Sequence, residues 1–132
     1  MARIGRWTPP LVLMAVIFAL SAQPDLNSGL GTIDLVGRKL VHATEYGLLF
    51  LLWLQALDRV PAVRYRRLGP QLFAALIAIA YAATDEVHQT FVHRRHGTPV
   101  DVLIDAAGVA IAVTVVRQVQ HRRRRAALPA IG

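Results

Sequence analysis

Four apolar stretches of helix length, separated by short segments that hold most of the charge, constrain this 132-residue chain more than any other feature. They cover residues 11–22, 39–57, 72–83 and 100–116. Hydrophobic residues make up 55% of the chain and the mean hydropathy is +0.42, against roughly 45–50% apolar residues in an ordinary soluble domain. An excess gathered into four runs predicts an all-α integral membrane bundle of about four transmembrane helices in one domain. With no cysteine, a disulfide framework and a thiolate metal site are both excluded. The net charge of +7 does not point to nucleic acid. Its basic residues flank apolar runs instead of lining one helix face, and no nucleic-acid module pattern is present. Fourteen arginines against one lysine fits a GC-rich bacterial genome.

The expected spans are about 7–23, 39–57, 68–91 and 99–116. Arg3 and Arg6 precede Trp7 and the Pro9-Pro10 pair, and the following run closes on Ala19-Leu-Ser-Ala22. That order has the form of a signal peptide, but it also makes an uncleaved span of roughly 25 Å at 1.5 Å per residue, with Trp7 at the interface. Residues 24–37 read as a turn-rich loop through Asp25, Asn27, Ser28, Gly29, Gly31 and Asp34. Pro61 stops the second helix inside a basic connection. Pro99 suits the first turn of the fourth. There Ala106, Ala107, Gly108, Ala110 and Ala112 leave room for a close helix neighbour.

Orientation follows from the basic residues. With the N-terminus inside, the inner segments hold eleven (Arg3, Arg6, Arg59, Arg64, Arg66, Arg67, Arg117 and Arg122 to Arg125). The outer segments hold four: Arg38, Lys39, Arg94 and Arg95. Eleven against four predicts cytoplasmic termini. The arginine run near the C-terminus then reads as an anchor beside anionic head groups.

This orientation puts the chain's most polar stretch, residues 84–108, on the outer face. It contains four of the eight acids, three of the five histidines and two arginines. Ionisable groups at the mouth of apolar helices are costly and normally face a protein interior or a wet cavity. On the third helix Asp85, His88 and Gln89 share a face at i, i+3 and i+4, while Glu86 is expected to point toward the loop. On the fourth, Asp101 and Asp105 stand at i and i+4 and repel each other. They need a cation from Lys39, Arg94, Arg95, a protonated histidine or a metal, or else one stays protonated. The second helix adds Lys39, His42, Glu45 and Tyr46 on one broad face. His93 and His96 read as residues of a solvated loop.

Two imidazoles and several carboxylates could bind Zn²⁺ or Mn²⁺ and activate water, with His42, Asp85, His88 and Asp105 as ligand or catalytic candidates. Asp-Glu-Val-His-Gln is nonetheless not the His-Glu-x-x-His signature. A hydrogen-bonded ion-pair network that fixes three helices, and a metal-free pocket with Lys39, Arg94 and Arg95 on an anionic head group, stay open beside it. The expected pocket joins His42, Asp85, His88 and Asp105, with Asp101 near Arg95 at its rim.

In order and spacing these residues resemble the VanZ-like family of small bacterial membrane proteins. The resemblance rests on Lys39, His42 and Tyr46, then Thr84, Asp85, Glu86, His88, Gln89 and Phe91, then Arg95, then Asp101, Asp105 and Gly108. It spans residues 38–108. Arg38 stands where the family often has an acid, and His93-Arg94 where it often has Pro-Gly. The resemblance implies a multi-pass plasma-membrane protein of the cell envelope, in a family whose founding member is associated with resistance to the glycopeptide teicoplanin. It fixes no reaction. Three functions therefore remain: a binder of a lipid or cell-wall precursor head group through Lys39, His42, Tyr46, Asp85, Glu86, His88, Gln89, Arg95, Asp101 and Asp105; a membrane-embedded metal-dependent hydrolase; and a structural envelope protein without a ligand.

Overall fold

The computed structural model describes residues 5–23, 32–64, 69–93 and 97–127. These residues form an all-α membrane bundle with no strand among them. Its elements are α1 (Thr8–Ser21), α2 (Thr32–Asp58), the single turn α3 (Pro61–Arg64), α4 (Gly69–Gln89) and α5 (Pro99–Ala126). The segments joining α1 to α2 and α3 to α4, apart from their ends, lie outside the described residues, as do Arg94, Arg95 and His96.

Local chemistry sets the helix ends. Prolines open α1 and α5, where the missing N–H is no loss. Thr98, in extended backbone, caps α5 by accepting the Asp101 N–H on its hydroxyl at 3.2 Å. Past Gln89 the chain tightens into i→i−3 bonds, such as Phe91 N–H to the His88 carbonyl at 3.0 Å, as helix ends commonly do.

α2 is the central helix, packed on α5, α4 and α1. Its Tyr46, Leu49, Phe50 and Leu57 form the core with Ile17 of α1 and Val109 of α5. From α4 come Ala74, Ala78 and Ala82, one residue per turn along a single buried stripe. The opposite faces carry exposed Leu11, Val16, Leu48, Leu76, Leu103, Ile111 and Val115. A soluble monomer rarely shows so much contiguous apolar surface, whereas a bilayer accepts it. Lipid tails are as apolar as leucine, so association rests on close packing and interhelical hydrogen bonds.

The tightest packing is between α2 and α5. A Cβ on Gly108 would overlap the Ala43 carbonyl oxygen, and one on Gly47 would lie 3.1 Å from the Gly108 oxygen. The two backbones touch here with nothing between them. α1 belongs to the same bundle. The Tyr81 hydroxyl donates to the Met14 carbonyl at 2.7 Å, and the Trp7 and Trp53 rings meet at 5.8 Å.

Two expected boundaries need correction. The residues up to 37 are not all loop, because α2 begins at Thr32, ahead of Lys39. Ile33, Val36 and Leu40 give this first part an exposed apolar face at helical spacing, and the open space around Gly37 shows that no turn or close contact requires a glycine there. The last helix also does not stop near Val116; it runs to Ala126. At 1.5 Å per residue it is roughly 42 Å long, against a hydrocarbon core of about 30 Å. Its arginine-rich last turns can therefore extend beyond the lipid, where Arg123, Arg124 and Arg125 suit the negative end of the helix dipole.

Gly108→Leu must separate α2 from α5, since its clash is with backbone and not with a movable side chain. Overpacking of this kind typically costs about 1–3 kcal/mol. Melting of the purified protein in detergent should fall clearly for Gly108→Leu and stay near wild type for Ala110→Leu, an exposed neighbour on the same helix.

Candidate functional site

The alanine stripe of α4 continues, one turn past Ala82, into acids. Asp85, Glu86 and Gln89 are all buried on that face. The end of α1, the first half of α2 and the start of α5 meet it, so one end of the bundle gathers Ser21, Lys39, His42, Tyr46, Asp85, Glu86, Gln89, Thr98, Asp101 and Asp105.

Donors reach these acids unequally. One oxygen of Asp85 accepts the Ser21 hydroxyl at 2.8 Å and the Gln89 amide at 3.1 Å, while the other has no hydrogen bond. Glu86 accepts the Thr98 N–H at 3.0 Å on one oxygen and the Gln89 amide at 3.3 Å on the other. This works only because the returning chain crosses α4 at Gly97, where a Cβ would overlap the Glu86 carbonyl. Asp101 pairs with Lys39 and accepts the Thr98 hydroxyl at 2.7 Å, so its charge is met on both oxygens. Asp105 differs. It is 1% exposed, neither oxygen has a hydrogen bond, and the nearest basic atom among the described residues, the His42 Nδ1, is 3.9 Å away. That exceeds hydrogen-bonding distance.

The expected constellation is thus rearranged. His42 and Asp105 do face each other. Asp85 is held on the α1 side by Ser21. His88 stacks on Phe18 of α1 at 4.3 Å, with its Nε2 buried and without a hydrogen bond. Glu86, expected to turn toward the loop, also faces inward: one ligand atom each from His42, Glu86 and Asp105 lies within 4.8 Å of the others. Asp101 meets Lys39, while Arg95 lies outside the described residues. Tyr46 is fully buried near Asp85, and its hydroxyl makes no well-formed hydrogen bond to a described group.

Ser21 and Thr98 were not anticipated. Ser21 sat inside the small-residue run that resembled a cleavage site. Thr98 carried a usable signal, since Thr-Pro followed by an acid two residues later is a helix start. At the opposite end a cavity of ≈ 560 Å³ opens between Asp58, Arg64, Gln71, Gln120 and Arg124. It has none of the buried, unpartnered atoms that distinguish the acid cluster.

Fold and site together define a class: a small helical membrane bundle with a buried, acid-rich cluster at one end. The chain belongs to the VanZ/LLP1 family, whose model matches residues 5–120. No curated protein and no solved structure shows a significant match to it.

Among the described residues, Gln89 is the one side chain that donates to both Asp85 and Glu86. Gln89→Leu keeps the volume and removes those donors. Asp85 keeps the Ser21 hydroxyl on the same oxygen, but the Glu86 oxygen is left without a donor. Stranding a buried acceptor costs about 1–3 kcal/mol, so the variant should melt below wild type in detergent. Val87→Leu, on the exposed face, should be neutral in the same measurement.

Proposed function

We propose that this is a multi-pass plasma-membrane protein of the bacterial envelope, with α1, α2, α4 and α5 crossing the bilayer and both termini cytoplasmic. Its acid-rich cluster opens to the outer face and binds the polar head of a lipid or cell-wall precursor. The orientation is supported by the sequence distribution of basic residues, eleven in the segments expected inside against four in those expected outside.

The observation that carries the binding reading is Asp105, a buried carboxylate with no hydrogen bond on either oxygen. A purely structural network would be expected to satisfy its most buried member, because a half-satisfied network is worse than an apolar core. Lys39 is already engaged with Asp101 and Gln89 with Asp85 and Glu86. What the cluster offers a ligand is mainly acceptors, on Asp85 and Asp105, beside the unbonded donor of the Tyr46 hydroxyl. Sugar hydroxyls, amide N–H groups and ammonium groups are their complement, and a cell-wall precursor head is rich in such donors. The teicoplanin association of the family suggests the same compartment, where occupancy of a precursor would alter glycopeptide susceptibility.

The protein has no cysteine, so single cysteines report its orientation directly. In intact cells a membrane-impermeant thiol reagent should label Thr90→Cys and not Ala62→Cys; the reverse pattern would contradict the orientation. Native mass spectrometry of protein extracted from those membranes should show a retained lipid-linked head group on wild type. Asp105→Asn should lose it. Equal retention by both, or none by wild type, would leave a structural envelope protein.

A further inference from the structure

An acid-rich cluster raises a question that head-group recognition alone does not answer. Asp85, Glu86, Asp101 and Glu45 all lie within electrostatic range of Asp105, and the nearby lysine is bound to Asp101. Like charges this close need a positive partner, or else one of them holds a proton. Three elements converge on the position where such a partner would lie: His42 from α2, Glu86 from α4 and Asp105 from α5, with one ligand atom each inside a 4.8 Å envelope.

From this geometry we infer that His42, Glu86 and Asp105 bind one divalent transition-metal cation, Zn²⁺ or Mn²⁺. The inference rests on the reading of the cluster as a ligand site and gives that site its cation. Two independent observations support it. Asp105 is almost wholly buried and both its oxygens lack hydrogen bonds. Such a carboxylate is costly unless it is paired or coordinates a metal. The His42 Nδ1 stands 3.9 Å from the Asp105 oxygen, too far for a hydrogen bond yet close to the roughly 3.4 Å between tetrahedral ligands that each lie about 2.1 Å from one ion.

The donor set selects the ion. An imidazole with two carboxylates suits zinc or manganese; all-oxygen sites are the habit of magnesium and calcium. Outer contacts hold the ligands in place as metal sites require. Thr98 N–H and Gln89 fix Glu86, and the backbone contact at Gly108 fixes the distance between the helices that carry His42 and Asp105. Three protein ligands leave a coordination position open. His42 is the partly exposed member, so that position opens on its side. An oxygen of the bound head group, phosphate included, would take it, which allows an acidic pocket to accept an oxyanion.

The test uses the full chain in detergent, stripped with EDTA and dialysed, then titrated with Zn²⁺ or Mn²⁺ alone. Bound metal is counted by plasma mass spectrometry, and melting is followed in parallel. Wild type should bind one ion per chain and melt several degrees higher with it. His42→Ala, Glu86→Gln and Asp105→Asn should each weaken binding at least tenfold, while His93→Ala, in the exposed turn after α4, should not. The two carboxylate variants are near-isosteric, and a cooperative melt for each shows that it is folded. Bound Mn²⁺ should show nitrogen hyperfine coupling that His42→Ala removes. Absence of saturable binding, or binding that all three variants retain, overturns the site. The titrated protein is first delipidated, so failure of the titration would remove the ion alone; head-group retention is read separately in the extracted protein.

Discussion

A carboxylate held between two apolar helices without a hydrogen-bond donor is the constraint on which the rest of this structure depends. Taking an ionised carboxylate out of water costs several kcal/mol even after relaxation, comparable to the whole stability of many small domains. Asp105 is placed in this way, while Asp101, one turn earlier, has both Lys39 and Thr98. Two aspartates on one helix face thus have different roles. The outer one ties α5 to α2 through Lys39 and holds the capping Thr98 hydroxyl. The inner one is left with acceptor capacity that the fold does not use.

Asp105 is set there by glycine. Gly108, nearly one turn along from Asp105, allows α5 to lie against Ala43 and Gly47 of α2 with backbone touching backbone. This sets how close His42 and Asp105 can come. Gly97 has the same role across the α4–α5 turn, where it lets the chain pass over Glu86 and deliver the Thr98 N–H. The polar cluster is therefore held by packing in its immediate surroundings, and a methyl group at either glycine would disturb it. Packing is also the main source of cohesion available to helices in lipid, so the same contacts support both the bundle and the site.

Much of this was legible in the sequence. Apolar runs of the right length gave the helical bundle, the order of Lys39, His42, Asp85, Glu86, His88, Asp101 and Asp105 gave the family, and the small residues around Gly108 gave a close helix contact. The errors share a cause. Helical spacing says which residues lie on a common face; it does not say which way that face turns. Asp85 and His88 share a face of α4, yet α1 takes both, through Ser21 and Phe18, and Glu86 turns toward α5 instead. Nothing local in the sequence announces that α1 would pack beside α4. The early start of α2 was missed because glycine and aspartate lower helix propensity, while the apolar spacing of Ile33, Val36 and Leu40 went unweighed.

The central claim is that Asp105 is kept for a ligand and not for the fold, and stability measures this most directly. Asp105→Asn removes the charge and keeps the shape. In detergent, after EDTA treatment and delipidation leave no metal or head group to pair with the carboxylate, the variant should melt about 3 °C or more above wild type, because relief of an unpaired buried charge stabilises a folded protein. A variant that instead melts below wild type would mean that Asp105 already has its partner within the bundle, and the cluster would then be a structural network.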